Sequence, residues 1–196
     1  PSGNILSYNG EIYNFRELRQ SFLTKQQLLS SGDTAVLSAL LQEKGLNAIK
    51  LLNGMFAFAW YQPDNHRLTL ARDPLGVKPL YYHFEDGHLV FASSIPALLE
   101  LAPIPRRLDG VAAHHYLSTG RNHLDGRSMI RGVRTLRPGE YLQLGGGIST
   151  PKTTRYWKTR AVAEDDKASL SGNWQNALAE CRQRIRASVQ AQLVSD

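Results

Sequence analysis

Met55 to Tyr61 reads Met-Phe-Ala-Phe-Ala-Trp-Tyr, a stretch with no charge and no amide side chain. A run this short and this apolar predicts a strand covered on both faces, because a half-solvated strand would carry a polar residue at every second place. Strand signals recur on either side of it. Asn4 to Tyr8 alternates, Arg67 to Arg72 alternates as a returning strand after Pro63-Asp64-Asn65, and Leu80 to Phe84 pairs with Leu89 to Ala92 around Glu85-Asp86-Gly87. Glu140 to Leu144 predicts one more strand, with Gly145-Gly146-Gly147 as a hairpin turn. That glycine run has no following helix and no Lys-Ser or Lys-Thr pair, so it does not read as a phosphate loop.

Helical spacing alternates with these strands. Phe15, Leu18 and Phe22 predict a helix from Asn14 to about Lys25, with Asn14 as its cap. Ser30-Ser31-Gly32-Asp33 reads as a loop ending in an N-cap, before a helix through Val36, Leu37, Leu40 and Leu41 that stops at Gly45. Ile49 and Leu52 suggest a short connecting helix, Ile95 to Leu101 an amphipathic one, and Asp109 caps another through Tyr116. Thr150 to Asp166 reads as an extended linker. From about Ser171, the residues Trp174, Leu178, Cys181, Ile185, Val189 and Leu193 mark one face of a long helix, on which Cys181 is expected to act as a small buried hydrophobe. Strand pairs alternating with helix pairs predict an α+β chain with two layered sheets between helices.

Composition narrows the function classes. With 196 residues, 42% hydrophobic and 20% charged, the chain reads as one sizeable soluble domain with an appendage. No apolar run reaches bilayer length and no leader is visible, so no membrane is expected. The single Cys181 excludes an internal disulfide and fits a reducing compartment, with cytoplasm as the expected location. The net charge of +6 comes largely from arginines and lysines scattered between Arg106 and Arg160, without interleaved stacking aromatics. They read as a solvated face or a surface for an acidic partner domain, and no nucleic acid is expected. The histidines show no ligand spacing, so no metal is expected.

The chemistry centres on Ser7-Tyr8-Asn9-Gly10-Glu11-Ile12-Tyr13-Asn14-Phe15. Asn9-Gly10 alone favours a two-residue hairpin turn. Glu11 to Phe15, which lacks the polar face of a second hairpin strand and offers Asn14 as a helix cap, argues instead for a strand end, a sharp corner and a helix start. An Asn amide beside a Gly N–H is what an oxyanion hole needs.

Asn9-Gly10-Glu11-Ile12-Tyr13-Asn14 resembles the signature of the class II glutamine amidotransferases, in the branch of the glutamine-hydrolysing asparagine synthetases. Further blocks follow in that family's order: Gly32-Asp33-Thr34, Leu52 to Ala59, Ala71 to Tyr82, Phe91 to Leu99, Leu136 to Gly139 and Tyr156-Trp157. The resemblance implies the four-layer αββα N-terminal-nucleophile hydrolase fold, and hydrolysis of the glutamine amide to supply ammonia for the ATP-dependent amidation of aspartate in asparagine biosynthesis. It makes the Asn9 side chain and the Gly10 N–H the oxyanion donors, puts Glu11 against the glutamine substrate and gives Asp33 its α-ammonium. Helix capping by Asp33 is compatible with that role. Arg72, Asp73 and Gly76 read as architectural, with Gly76 at a φ that glycine alone tolerates.

The resemblance also implies a nucleophilic N-terminal cysteine and a carboxylate-binding arginine upstream of Pro1, so the 196-residue chain is expected to be inactive alone. It divides the chain into a glutaminase domain (1–150, lacking its start), a linker (151–170) and the first helix of a synthetase domain (171–196). ATP and magnesium are implied for the absent synthetase half and no cofactor for this chain. The partners implied are glutamine, that synthetase domain and a second copy in a homodimer. Ser94 and Ala35 stand where the family commonly carries Glu, which leaves open a relative acting on another carboxylate. The competing reading is a nucleophile-less structural domain of the β-lactam synthetase or lasso-peptide cyclase type.

Overall fold

The computed structural model describes residues 3–24, 32–121, 124–159 and 174–193. In chain order the strands are β1 (Ile5–Ile12), β2 (Gly54–Gln62), β3 (Arg67–Arg72), β4 (Tyr81–Glu85), β5 (His88–Ala92), β6 (Arg134–Thr135), β7 (Glu140–Gly145) and β8 (Ile148–Arg155). The helices are α1 (Phe15–Phe22), α2 (Asp33–Lys44), α3 (Ile95–Leu101), α4 (Gly110–Thr119) and α5 (Trp174–Gln192), with a 3-10 turn over Gly45–Leu51. One sheet has five strands in the order β1-β2-β3-β7-β8; the other has three, β5-β4-β6. Every pairing is antiparallel.

The apolar run is the central strand expected, and its two faces differ in size. Phe56, Phe58 and Trp60 point into a cluster with Phe15 and Leu18 of α1 and Val36, Leu37 and Leu40 of α2. Ala57 and Ala59 face the other way, where with Leu70 and Leu142 they meet Tyr82 of the second sheet and Leu80 and Leu136, which flank its strands β4 and β6. Large side chains fill the gap to the helices and small ones let the sheets approach. On β4 the alternation repeats: Tyr82 joins the inter-sheet cluster, while Tyr81 packs with Leu98, Ile104 and Val133 on the α3 side.

The strand pairs, α3 and the Gly145–Gly147 turn fall where the sequence puts them. Several expectations do not. Asn9 and Gly10 form no corner, because β1 runs through them to Ile12 and pairs Asn9 with Ala57 and Gly10 with Phe56. Asn14 precedes α1 but makes no capping bond. Its amide instead donates to the Leu51 carbonyl at 3.0 Å and accepts from the Asn53 N–H at 2.9 Å, tying the start of α1 to the entry of β2. Gly32 is the cap of α2, and Asp33 begins the helix without capping it. Part of the expected linker is sheet, since β8 extends to Arg155 on the outer edge, where Pro151 is tolerated. Lys25, Ser30-Ser31 and residues 160–173, which include the rest of that linker and the expected helix start near Ser171, lie outside the described residues. Cys181 is exposed, and α5 buries none of its residues.

Asp109 does cap α4, accepting from the Val111 and Ala112 N–H groups at 3.0 Å and from Arg127 at 2.9 Å. The Ala112 N–H, and after it the Arg127 guanidinium, hold its carboxyl below the ordinary value. A carboxyl depressed by folding stabilises the fold above its unfolded pKa, and that contribution is lost as pH falls through the folded one. The Asp109 contribution is thus complete above about pH 4 and disappears in more acid solution. Asp109→Asn is expected to flatten this part of the acid limb of a plot of Tm against pH, measured by circular dichroism. An acid limb as steep as that of the parent protein would refute the assignment. No helix among the described residues is long and apolar enough to cross a membrane.

Candidate active site

The hydrogen-bond phase of β1 decides what Gly10 can do. Beyond Ile12 the ladder to β2 continues with the Tyr13 N–H donating to the Asn53 carbonyl at 2.8 Å. In an antiparallel ladder alternate residues bond inward, so Tyr13, Glu11 and Asn9 face β2 while Ile12 and Gly10 turn their N–H groups outward. Two other bonds agree. The Ile12 N–H donates to Asp33 Oδ2 at 3.1 Å, and Phe56, opposite Gly10, uses its carbonyl on the β3 side to accept from the Asp73 N–H at 2.8 Å. β1 is the edge of its sheet. The Gly10 N–H therefore points off the sheet edge, unclaimed by the ladder.

Glycine is required there for a reason other than a turn. A Cβ on Gly10 would lie 2.3 Å from the Met55 carbonyl oxygen and 2.7 Å from Phe56 Cα. Gly54, diagonally across, has the same close approach, 2.1 Å from the Glu11 carbonyl oxygen. The two glycines let β1 and β2 run closer together than side chains allow.

Asn9 and Glu11 project on the β1 face opposite the helices. The Asn9 amide is exposed and has no hydrogen-bond partner among the described residues. It borders a groove of about 190 Å³ between the sheets, with Pro79, Leu80, Phe91 and Ser93 across from it. Glu11 is half-buried. With Asp73 it lies close enough to Tyr13 to add to the effect of burial, which pushes the Tyr13 phenol above its ordinary value.

Asp33 reaches the same edge from α2. It is 7% exposed, and its Oδ2 accepts from the Tyr8 hydroxyl at 2.6 Å as well as from Ile12. Its Oδ1 meets the Thr34 hydroxyl at 3.3 Å. Asp33 thus meets β1 at Tyr8 and Ile12 on its helix side, the Asn9 and Glu11 side chains lie on the other face, and the Gly10 N–H points off the edge between them. The contact to Tyr8 was not visible in the sequence. Its only signal is that Tyr8 falls on the helix-facing side of an alternating strand.

Arg72 and Asp73 are architectural, as expected. Asp73 is 1% exposed and accepts from four backbone N–H groups, those of Phe56 (3.4 Å), Leu75 (3.1 Å), Val77 (2.9 Å) and Lys78 (3.0 Å). Arg72 donates to the carbonyls of Lys78, Gly76 and Leu136, each at 2.7 Å, and to the Thr135 hydroxyl at 3.1 Å. Burial pulls its pKa below the ordinary arginine value, against the opposing effect of Asp73. Gly76 has φ +67° and a Cβ there would meet Pro138 Cγ at 2.7 Å. A wider cleft, about 790 Å³, lies elsewhere, between this loop, Tyr156-Trp157 and the exposed α5.

The layered sheets agree with what comparison with known proteins finds. The chain belongs to the class II glutamine amidotransferase domain family, whose description matches residues 2–157. Among curated proteins it is 31% identical over 191 residues to asparagine synthetase [glutamine-hydrolyzing] 3 of Bacillus subtilis, covering 96% of this chain and 30% of that protein. It is 38% identical over 115 residues to asparagine synthetase B [glutamine-hydrolyzing] of Escherichia coli, covering 58% of this chain and 20% of that one. The chain thus spans less than a third of the length of these relatives. Among solved structures it resembles glutamine phosphoribosylpyrophosphate amidotransferase from B. subtilis, complexed with ADP and GMP. The TM-score is 0.53 at 21% identity, over 80% of this chain and 30% of that one. That likeness concerns the fold.

Proposed function

We propose that this chain is the glutaminase part of a glutamine-dependent asparagine synthetase, releasing ammonia from the glutamine side-chain amide. The observation that carries the reading is the shared edge of β1. Gly10 and Ile12 turn their N–H groups off it two residues apart, about 7 Å at the usual rise of a strand. Asp33 covers the second of them. In extended glutamine the amide carbon and the α-nitrogen are separated by about 5 Å at ordinary bond lengths. A glutamine laid along this edge has its amide oxygen at the Gly10 N–H and its ammonium near Asp33.

In the proposed reaction a thiolate attacks the amide carbon and the carbonyl oxygen takes the negative charge. The Gly10 N–H and the Asn9 amide donate to that oxygen, and they do so better as its charge grows. The carbon–nitrogen bond then breaks, the nitrogen takes a proton and leaves as ammonia, and water hydrolyses the thioester to glutamate. Glu11 lies against the substrate on the face it shares with Asn9. The thiolate belongs to the upstream N-terminal cysteine of the family. Cys181, the one cysteine in these residues, sits on exposed α5, so the 196-residue chain alone is proposed to be inactive.

The remaining parts of the reading concern the whole protein. The three core clusters support the four-layer αββα arrangement, α1 and α2 on one side and α3 on the other. The match to residue 157 supports a glutaminase domain reaching that far. The open apolar face of α5 supports its packing against a further domain, proposed to be an ATP- and magnesium-dependent synthetase that binds aspartate. A cytoplasmic location and a homodimer belong to the same proposal.

Asn9→Ala in the full-length polypeptide tests the site. Removing one oxyanion donor costs about 3 kcal/mol in the barrier. Ammonia release from glutamine is therefore expected to fall at least about a hundredfold in kcat, with KM changed little. An unchanged kcat would remove Asn9 from the mechanism.

A further inference from the structure

We infer that Tyr8 is a positioning residue for glutamine recognition: its hydroxyl holds the Asp33 carboxylate so that one oxygen is left to receive the substrate's α-ammonium. The inference rests on the reading of Asp33 given above.

An aspartate at an N-cap folds back onto the helix's own unpaired N–H groups. Asp33 stands one place further on, behind the Gly32 cap, and its carboxylate bonds none of the α2 N–H groups. The carboxylate is drawn away by two donors on β1, the Tyr8 hydroxyl at 2.6 Å and the Ile12 N–H at 3.1 Å. Both bind the same atom, Oδ2. A carboxylate can accept about four hydrogen bonds, two at each oxygen. Oδ2 is thus filled by two good donors, while Oδ1 meets one hydroxyl, that of Thr34, at 3.3 Å. The remaining acceptor capacity is on Oδ1.

Direction matters because a terminal carboxylate torsion is broad and does not fix itself. The Ile12 N–H alone leaves the group free to pivot about one bond. The Tyr8 hydroxyl supplies a second anchor from a different backbone position, and at 2.6 Å it is in the range of a charge-assisted O–H···O⁻ bond. The Tyr8 ring is packed against the core between the sheet and α1 and α2, so the anchor has a fixed base. An ammonium carries three donors and no acceptors, and it needs an oxygen already turned toward it.

The test is binding by titration calorimetry on the full-length polypeptide, with glutamine and with glutaramate, which is glutamine lacking the α-ammonium. Tyr8→Phe removes one oxygen atom and keeps the ring. It is expected to raise the Kd for glutamine about tenfold, the scale of one hydrogen bond to a charged group. The Kd for glutaramate is expected to stay at the parent value, a split that a structural role for the hydroxyl would not produce. The double variant Tyr8→Phe/Asp33→Asn is expected to bind glutamine no more weakly than Asp33→Asn. Equal weakening toward both ligands, or none toward either, would overturn the role of Tyr8 while leaving Asp33 in place. If Asp33→Asn itself leaves glutamine binding unchanged, the reading of Asp33 fails and this inference fails with it.

Discussion

Asp73→Ala is expected to lower the stability of the protein by about 4 kcal/mol, the largest effect of any single change considered. The carboxylate is buried and accepts from four backbone N–H groups, on Phe56 of β2 and on Leu75, Val77 and Lys78 of the loop that follows β3. Alanine offers none of them a partner. The loop amides near Leu75 and Val77 can turn toward water, because those two side chains are exposed. The Phe56 N–H has no such exit, and a buried donor left unmade costs about 1–3 kcal/mol. The chain between β3 and β4 is also what carries the polypeptide from one sheet to the other, so its disorder would loosen the inter-sheet cluster. At about 2–4 °C per kcal/mol for a domain of this size, the melting midpoint should fall by about 10 °C. Asp73→Asn keeps one acceptor oxygen and should fall between. A shift of less than about 3 °C for the alanine variant would show that the loop does not depend on this carboxylate.

Gly10→Ala is expected to damage stability and chemistry together. The added carbon has no room: its nearest neighbours are backbone atoms of Met55 and Phe56, at 2.3 and 2.7 Å, and no flexible side chain can move aside. β1 must separate locally from β2, which puts the cost at or above the upper end of overpacking, about 3 kcal/mol. The strand that separates is the one carrying the Gly10 N–H and the Asn9 amide. Glutamine hydrolysis by the full-length polypeptide should therefore fall by more than about a hundredfold even at temperatures where the variant is folded. Paired melting curves and ammonia-release assays separate the two effects. A variant that melts normally would mean that the strands can accommodate a methyl group at this crossing.

These residues also mark what could and could not be read from the sequence. The β2 run, the strand pairs, α3 and the Asp109 cap were legible because their signals are local: a period, a turn, or a side chain reaching two or three residues along. The Asn9-Gly10 corner was misread because the dipeptide's turn preference is weak beside a continuous register with β2 from Ile5 to Ile12. Gly10 serves close approach there, a need that looks the same in sequence as a turn. Asn14 lost its capping role to partners 37 and 39 residues away, and Asp33 is held by a tyrosine 25 residues earlier. Spacing cannot show such contacts. For Cys181 the periodicity indicated an apolar face but nothing about what covers it.

Tyr156 donates its hydroxyl to the Arg72 carbonyl at 2.7 Å, and Arg72 in turn grips Leu136 and Thr135 beside the second sheet. The phenol's burial, which pushes its pKa well above the ordinary tyrosine value, keeps it a donor at all physiological pH. The place where the polypeptide leaves β8 is therefore latched to the seam between the sheets. Any change in the path of the chain at residue 156 therefore reaches the Arg72 carbonyl and, through the Arg72 guanidinium, the Leu136 carbonyl and the Thr135 hydroxyl, a relay of hydrogen bonds from the end of one sheet to the border of the other.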